Sequence, residues 1–141
     1  MSRLLLALTL ASTLVACGGS DAPSSATIAI TSPTVGQSVS RGSDQHMTVD
    51  VAFAVTGFTF QPCPSDTSGS CGHVHLLIDG FDCGQPYNNF AVASPAQAFF
   101  DKCSRPTGAH TITLELHHTD HTAIKNTAGA QIASAVSFTT L

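Results

Sequence analysis

The chain has 141 residues, of which only 10 % are charged, with nine acidic side chains against five Lys and Arg. Its formal charge of −4 and the lack of any basic run argue against nucleic acid as a partner, because phosphate contacts are made by clustered Lys and Arg. The length suits one domain with one hydrophobic core.

The chain opens with Arg3 and an apolar run from Leu4 to Val15, too short to span a bilayer as a mature helix. The run ends in Leu14-Val15-Ala16-Cys17 and continues as Gly18-Gly19-Ser20. This segment resembles the lipobox of bacterial lipoproteins. The resemblance implies a signal peptide over residues 1–16 that is cleaved, and lipidation of Cys17 as the first mature residue. Gly18 in place of Asp after that cysteine resembles outer-membrane sorting, which places the protein in the cell envelope. Residues 17–26 then form the lipidated cysteine and a flexible tether, since Gly, Ser and Pro without apolar periodicity build no core. No second long apolar run follows, so the lipid is the one membrane anchor expected.

Residues 27–141 read as strands in series. Thr27–Thr31 alternates and is stopped by Ser32-Pro33. From Met47 to Thr56, Val49, Val51, Phe53 and Val55 share one face, the period-two pattern of a half-buried strand. Phe60–Cys71 is rich in Pro, Ser and Gly and reads as a loop. Gly72–Gly80, Gly-His-Val-His-Leu-Leu-Ile-Asp-Gly, reads as a strand closed by an Asp-Gly turn. It sets Val74, Leu76 and Ile78 on one face and His73, His75 and Leu77 on the other. Cys83–Pro95 looks irregular, and Ala96–Phe100 suits a short strand with one ring of Phe99-Phe100 inward. Ala109–His118 alternates strongly, with Ile112, Leu114 and Leu116 apolar and Thr111, Thr113, Glu115 and His117 opposite. Ile132–Thr140 closes the chain with Val136 and Phe138 inward. No stretch sustains a helical period. The expected fold is all-β: a single immunoglobulin-like antiparallel sandwich of about seven strands.

Once Cys17 is assigned to the lipid, four cysteines remain, an even number in an oxidising compartment. Of the three pairings open to them, Cys63–Cys71 and Cys83–Cys103 join sequence neighbours in two separate loop regions. No Cys-x-x-Cys is present to favour a thiolate metal site.

Seven histidines stand in a chain with five Lys and Arg. His46 precedes a strand alone and reads as a surface residue. His110 lies on the buried face of its strand and reads as structural, holding a neighbouring loop as a tyrosine corner does. If the Gly72–Asp79 strand pairs antiparallel with Ala109–His118, His73 and His75 stand near Glu115 and His117, with His121 over the same edge. Imidazoles so grouped suit a divalent transition metal, copper or zinc, with His73, His75, His117 and His121 as candidate ligands. A wet face decorated by histidines needs no metal, and that reading stays open. His118 points inward on this pattern.

The strand Gly72–Gly80, the Gly108-Ala109-His110-Thr111 strand start and Asp120-His121 are together similar to a group of bacterial secreted and lipoprotein domains. These share a His-x-His strand, a Gly-x-His-Thr strand and a downstream Asp-His. The resemblance implies an immunoglobulin-like sandwich outside the cytoplasm. Its matching positions are His73, His75, His110, Asp120 and His121, with Asp120 structural; His117 and the four loop cysteines are not part of its pattern.

Nothing marks an enzyme. Gly-x-Ser-x-Gly and His-Glu-x-x-His are absent, and no serine is set off by a local motif. The leading expectation is a lipid-anchored, non-catalytic module that contacts a protein or glycan or serves structurally. The alternative is metal binding through the histidine cluster.

Overall fold

A computed structural model describes residues 24–62, 69–84 and 86–141. Nine strands follow one another: β1 (Thr27–Ser32), β2 (Ser38–Val39), β3 (Thr48–Thr56), β4 (Thr59–Phe60), β5 (Cys71–Ile78), β6 (Asn89–Ala91), β7 (Ala96–Phe99), β8 (Gly108–His117) and β9 (Ala133–Thr140). Among the described residues the one helical element is a 3-10 turn at Phe100–Lys102. It ends β7 one residue earlier than the sequence pattern suggests. No described helix is long and apolar enough to cross a membrane.

One sheet runs β1-β3-β7 and the other β2-β9-β8-β5-β4, with β6 on β5. Early and late strands alternate between the sheets, and β2 pairs parallel to β9 at an edge. This is an immunoglobulin-like sandwich. Alternation in the sequence explains the layers. Val49, Val51 and Phe53 of β3 are buried against Val74, Leu76 and Ile78 of β5, with Ile112, Leu114 and Leu116 of β8 and Val136 and Phe138 of β9 in the same cluster. Phe100 is fully buried, whereas Phe99 is only partly covered and lies 4.8 Å, centroid to centroid, from the His46 ring. His46 is therefore less solitary than its sequence context suggests: its Nδ1 also lies 3.2 Å from the Asp101 carboxylate.

The packed domain begins before residue 27. Ser24 and Ala26 are each 5 % exposed. The Ser24 amide donates to the Lys125 carbonyl (2.9 Å) and its hydroxyl to the Gly69 carbonyl (2.7 Å). The long-range hydrogen bonds of Ser24 and the burial of Ala26 put these residues, expected to belong to the tether, in the fold. Cys83 and Cys103 form a disulfide. Cys71 is also disulfide-bonded, and its expected partner Cys63 lies outside the described residues, as do residues 1–23 with Cys17.

In the segment read as irregular, residues 83–95, one buried amide orders the described residues. Asn88 donates from Nδ2 to the carbonyls of Cys83 (2.6 Å) and Phe99 (2.8 Å) and accepts at Oδ1 from the Phe99 amide (2.8 Å). Its own backbone N–H bonds Leu76 of β5 (2.8 Å). These bonds lay β6 along β5, with His75 opposite Phe90.

The pairing of β5 with β8 is antiparallel and sets His73 opposite His117 and His75 opposite Glu115. Gly72 makes the start of this ladder possible. Its φ is 148°, and a Cβ there would overlap the His117 carbonyl oxygen, so a side chain would push the two strands apart where the histidines sit.

Candidate metal centre

β5 is buried at all eight positions. The face carrying His73 and His75, expected to be wet, is covered: the two residues are 9 % and 5 % exposed. The cover is aromatic. Tyr87 lies over His75 at 3.9 Å between centroids, His117 stacks on His75 at 3.7 Å and 17°, and Phe90 meets His73 edge-on at 6.2 Å.

Under this cover three ring nitrogens converge. His73 Nε2 is 2.9 Å from His75 Nε2, which is 3.0 Å from His121 Nδ1. The three atoms lie within 4.8 Å of one another. Two nitrogens bound to one tetrahedral ion at roughly 2.0–2.1 Å sit about 3.3 Å apart, so only small ring movements separate this arrangement from a ligand set. Hydrogen bonding alone serves the group poorly. Each imidazole nitrogen carries either one lone pair or one hydrogen in the ring plane, yet His75 Nε2 faces two ring nitrogens at hydrogen-bond distance. A cation that accepts a lone pair from each of the three removes that conflict.

His121 arrives from outside the sheet. Asp120 Oδ1 accepts from the Thr122 amide (2.9 Å) and hydroxyl (2.7 Å), and the His121 amide bonds the His118 carbonyl (3.0 Å). This Asx turn holds His121 at φ 68°, a left-handed conformation that a residue other than glycine adopts only when its surroundings enforce it. Asp120, expected to be structural, thus shapes the turn that presents a ring nitrogen. Its own carboxyl is held below the usual range, chiefly by the Thr122 hydroxyl.

His117, also a candidate ligand from the sequence, stands beside the group with both nitrogens engaged elsewhere. Its Nδ1–H donates to the His121 carbonyl (2.8 Å), and its Nε2 lies 3.2 Å from the Glu115 carboxylate and 3.1 Å from the Gln131 amide. It holds the backbone of His121 and stacks on the ring of His75. His110 is remote from the group. It donates from Nδ1 to Asp79 (2.7 Å), which also accepts from the Thr111 amide (2.8 Å), so it ties the turn after β5 to the start of β8. Its Nε2 is buried with no hydrogen-bond partner among the described residues, facing the Phe100 ring at 4.9 Å between centroids. His118 is buried. A second grouping, Asp79, Asp82 and Cys83, offers no thiolate because Cys83 is in its disulfide.

Sequence reasoning missed Tyr87, Phe90 and Asn88. Tyr87 is the chain's single tyrosine and precedes the buried Asn88. A lone aromatic beside two asparagines in a loop signals no period, so its place over His75 emerges only once Asn88 and the disulfide fix the loop.

No family model matches the chain, and no curated protein does. Among solved structures it is similar to the fibronectin(III)-like modules of Clostridium thermocellum CbhA, at 11 % identity and a TM-score of 0.46, covering 81 % of this chain and 95 % of that one.

Burial favours the neutral form of the two strand histidines. The pKa of His75 is pushed down to about 3, first by desolvation and then by the neighbouring His117, His73 and His121 rings. His73 shifts the same way for the same leading cause. Between the unfolded value of about 6.5 and the folded one, the unfolded chain binds more protons. Stability contributed by neutral His75 is therefore complete above about pH 6.5 and is lost progressively as pH falls toward 3. Urea unfolding of the metal-free protein at pH 7.5 and pH 5.0 is expected to show a drop that shrinks in His75→Leu; an equal drop in both proteins would contradict this account.

Proposed function

We propose that this protein is a lipid-anchored, non-catalytic module of the cell envelope that binds one divalent transition-metal ion through His73 Nε2, His75 Nε2 and His121 Nδ1. The observation that carries the reading is the convergence of these three nitrogens within 4.8 Å. It is supported by burial of the two strand histidines, which favours the neutral, metal-ready imidazole. An all-imidazole set suits copper(II) and zinc, and the general order of affinities favours copper(II). Here His117 supports the ligands: its hydrogen bond and stacking do for His121 and His75 what outer partners commonly do for ligating side chains.

The Ala16-Cys17 junction supports the anchor. Acyl chains on Cys17 would hold the domain at one leaflet, with the Gly- and Ser-containing stretch after Cys17 as the tether.

Equilibrium dialysis of the domain against copper(II) and zinc near neutral pH is expected to retain one ion per chain at micromolar concentration. Single replacement of His75 or His121 by Ala should abolish retention, His117→Ala should weaken it about ten- to one hundredfold, and His46→Ala should leave it unchanged. Lack of retention by the unmodified domain, or equal retention in His75→Ala, would overturn the metal assignment. For the anchor, Cys17→Ser is expected to release the protein from membranes; a Cys17→Ser protein still in the membrane fraction would refute it.

A further inference from the structure

The three ligands leave a coordination position for something else, and the structure shapes what that is. Tetrahedral and larger coordination shells need at least one donor beyond His73, His75 and His121. A cavity of about 300 Å³ has His73 and His121 in its lining, together with Pro62, Tyr87, Phe90 and Val92. Its lining is mainly apolar and aromatic. The Tyr87 and Phe90 rings stand at 88° to one another with centroids 6.5 Å apart, and Tyr87 runs nearly parallel to the His121 ring, at 9° and 6.0 Å. Phe90 and Val92 are 56 % and 57 % exposed, so the mouth is an apolar rim open to solvent.

Each feature narrows the class of ligand. Apolar walls disfavour a strongly hydrated anion, whose shell they cannot replace. A borderline metal with three imidazoles accepts a further ring nitrogen as readily as it accepts water. Flat rings offer face and edge contacts to another flat ring. The volume lies at the small end of ligand cavities and admits a single heteroaromatic ring.

On the metal reading above, we propose that the bound ion keeps a position open to this cavity and takes there the ring nitrogen of an imidazole-class heteroaromatic. The source of that ring is a free small molecule or a histidine side chain of another protein. The chemistry at the metal is the same for both, a lone pair donated in the ring plane while the ring lies against Tyr87 and Phe90. Phe90 is the residue that tests it, because it lines the cavity and supplies no metal ligand.

The experiment uses the copper(II)-loaded protein, with loading established first by metal analysis. Titration with 4-methylimidazole is expected to shift the d–d absorption and the electron paramagnetic resonance spectrum, saturating at one ring per copper. Phe90→Ala is expected to raise the apparent Kd for 4-methylimidazole about tenfold. The two proteins are compared at equal measured copper content, and the affinity for azide, which needs no flat slot, should be the same in both. A short peptide with one histidine is titrated in parallel. Matching shifts with peptide and free ring assign the source to a partner's side chain, and a response to the free ring alone assigns it to a small molecule; both support the proposal. A copper-loaded protein that responds to neither probe overturns this inference and leaves the metal reading standing. A response that Phe90→Ala does not alter overturns the cavity assignment. Protein that takes up no copper defeats the metal reading itself.

Discussion

Everything at the candidate centre depends on the register of β5 against β8. With Val74 opposite Leu116 and Leu76 opposite Leu114, the apolar halves of both strands meet the core together. The same register sets His73 opposite His117 and His75 opposite Glu115 on the other face. A slip of one residue would turn the valine–leucine stripe to the outside and the histidines into the core. The hydrophobic effect therefore fixes the histidine positions indirectly: burial of five or six large apolar side chains at about 1.5–3 kcal/mol each far exceeds what imidazole contacts contribute. Gly72 guards the end of the ladder, where no side chain fits beside His117.

Two strands alone present two ring nitrogens. The third nitrogen and the cover come from loops, and each loop is held by polar bonds to the scaffold. The Asp120–Thr122 turn carries His121, and its backbone is held at a second point by His117. Asn88 and the Cys83–Cys103 disulfide fix the segment that brings Tyr87 over His75 and Phe90 beside His73. Such an arrangement places flexible-looking sequence under rigid control, which a metal site requires because ligand positions must hold to within about half an ångström. The aromatic lid also removes water from His73 and His75, and desolvation is the leading reason their rings stay neutral.

Much of the scaffold was legible in the residues. Alternation in Met47–Thr56, Gly72–Asp79, Ala109–His118 and Ile132–Thr140 marks the central strands and their inward faces, because period two is a direct consequence of strand geometry. The His-x-His pattern and the antiparallel pairing lead to His73, His75 and the edge near His121. What escapes is whatever depends on side-chain direction at long sequence separation. His117 alternates like a ligand, yet its Nδ1 turns to a carbonyl four residues on, a choice made by the Asp120 turn. The outward face looked wet because solvent access is set by the Tyr87 loop, whose course rests on one buried amide with no sequence period. Ser24 and Ala26 looked like tether because composition does not reveal a hydroxyl bonded to a distant carbonyl.

The account stands on one geometric claim, that His73 Nε2, His75 Nε2 and His121 Nδ1 form a single ligand set while His117 supports them. Anomalous diffraction at the copper edge from crystals of the copper(II)-loaded domain tests it most directly. The account predicts one copper about 2 Å from each of those three nitrogens, with His117 Nδ1 still bonded to the His121 carbonyl. Copper bound at His46, or ligated by His117 in place of His121, would contradict it.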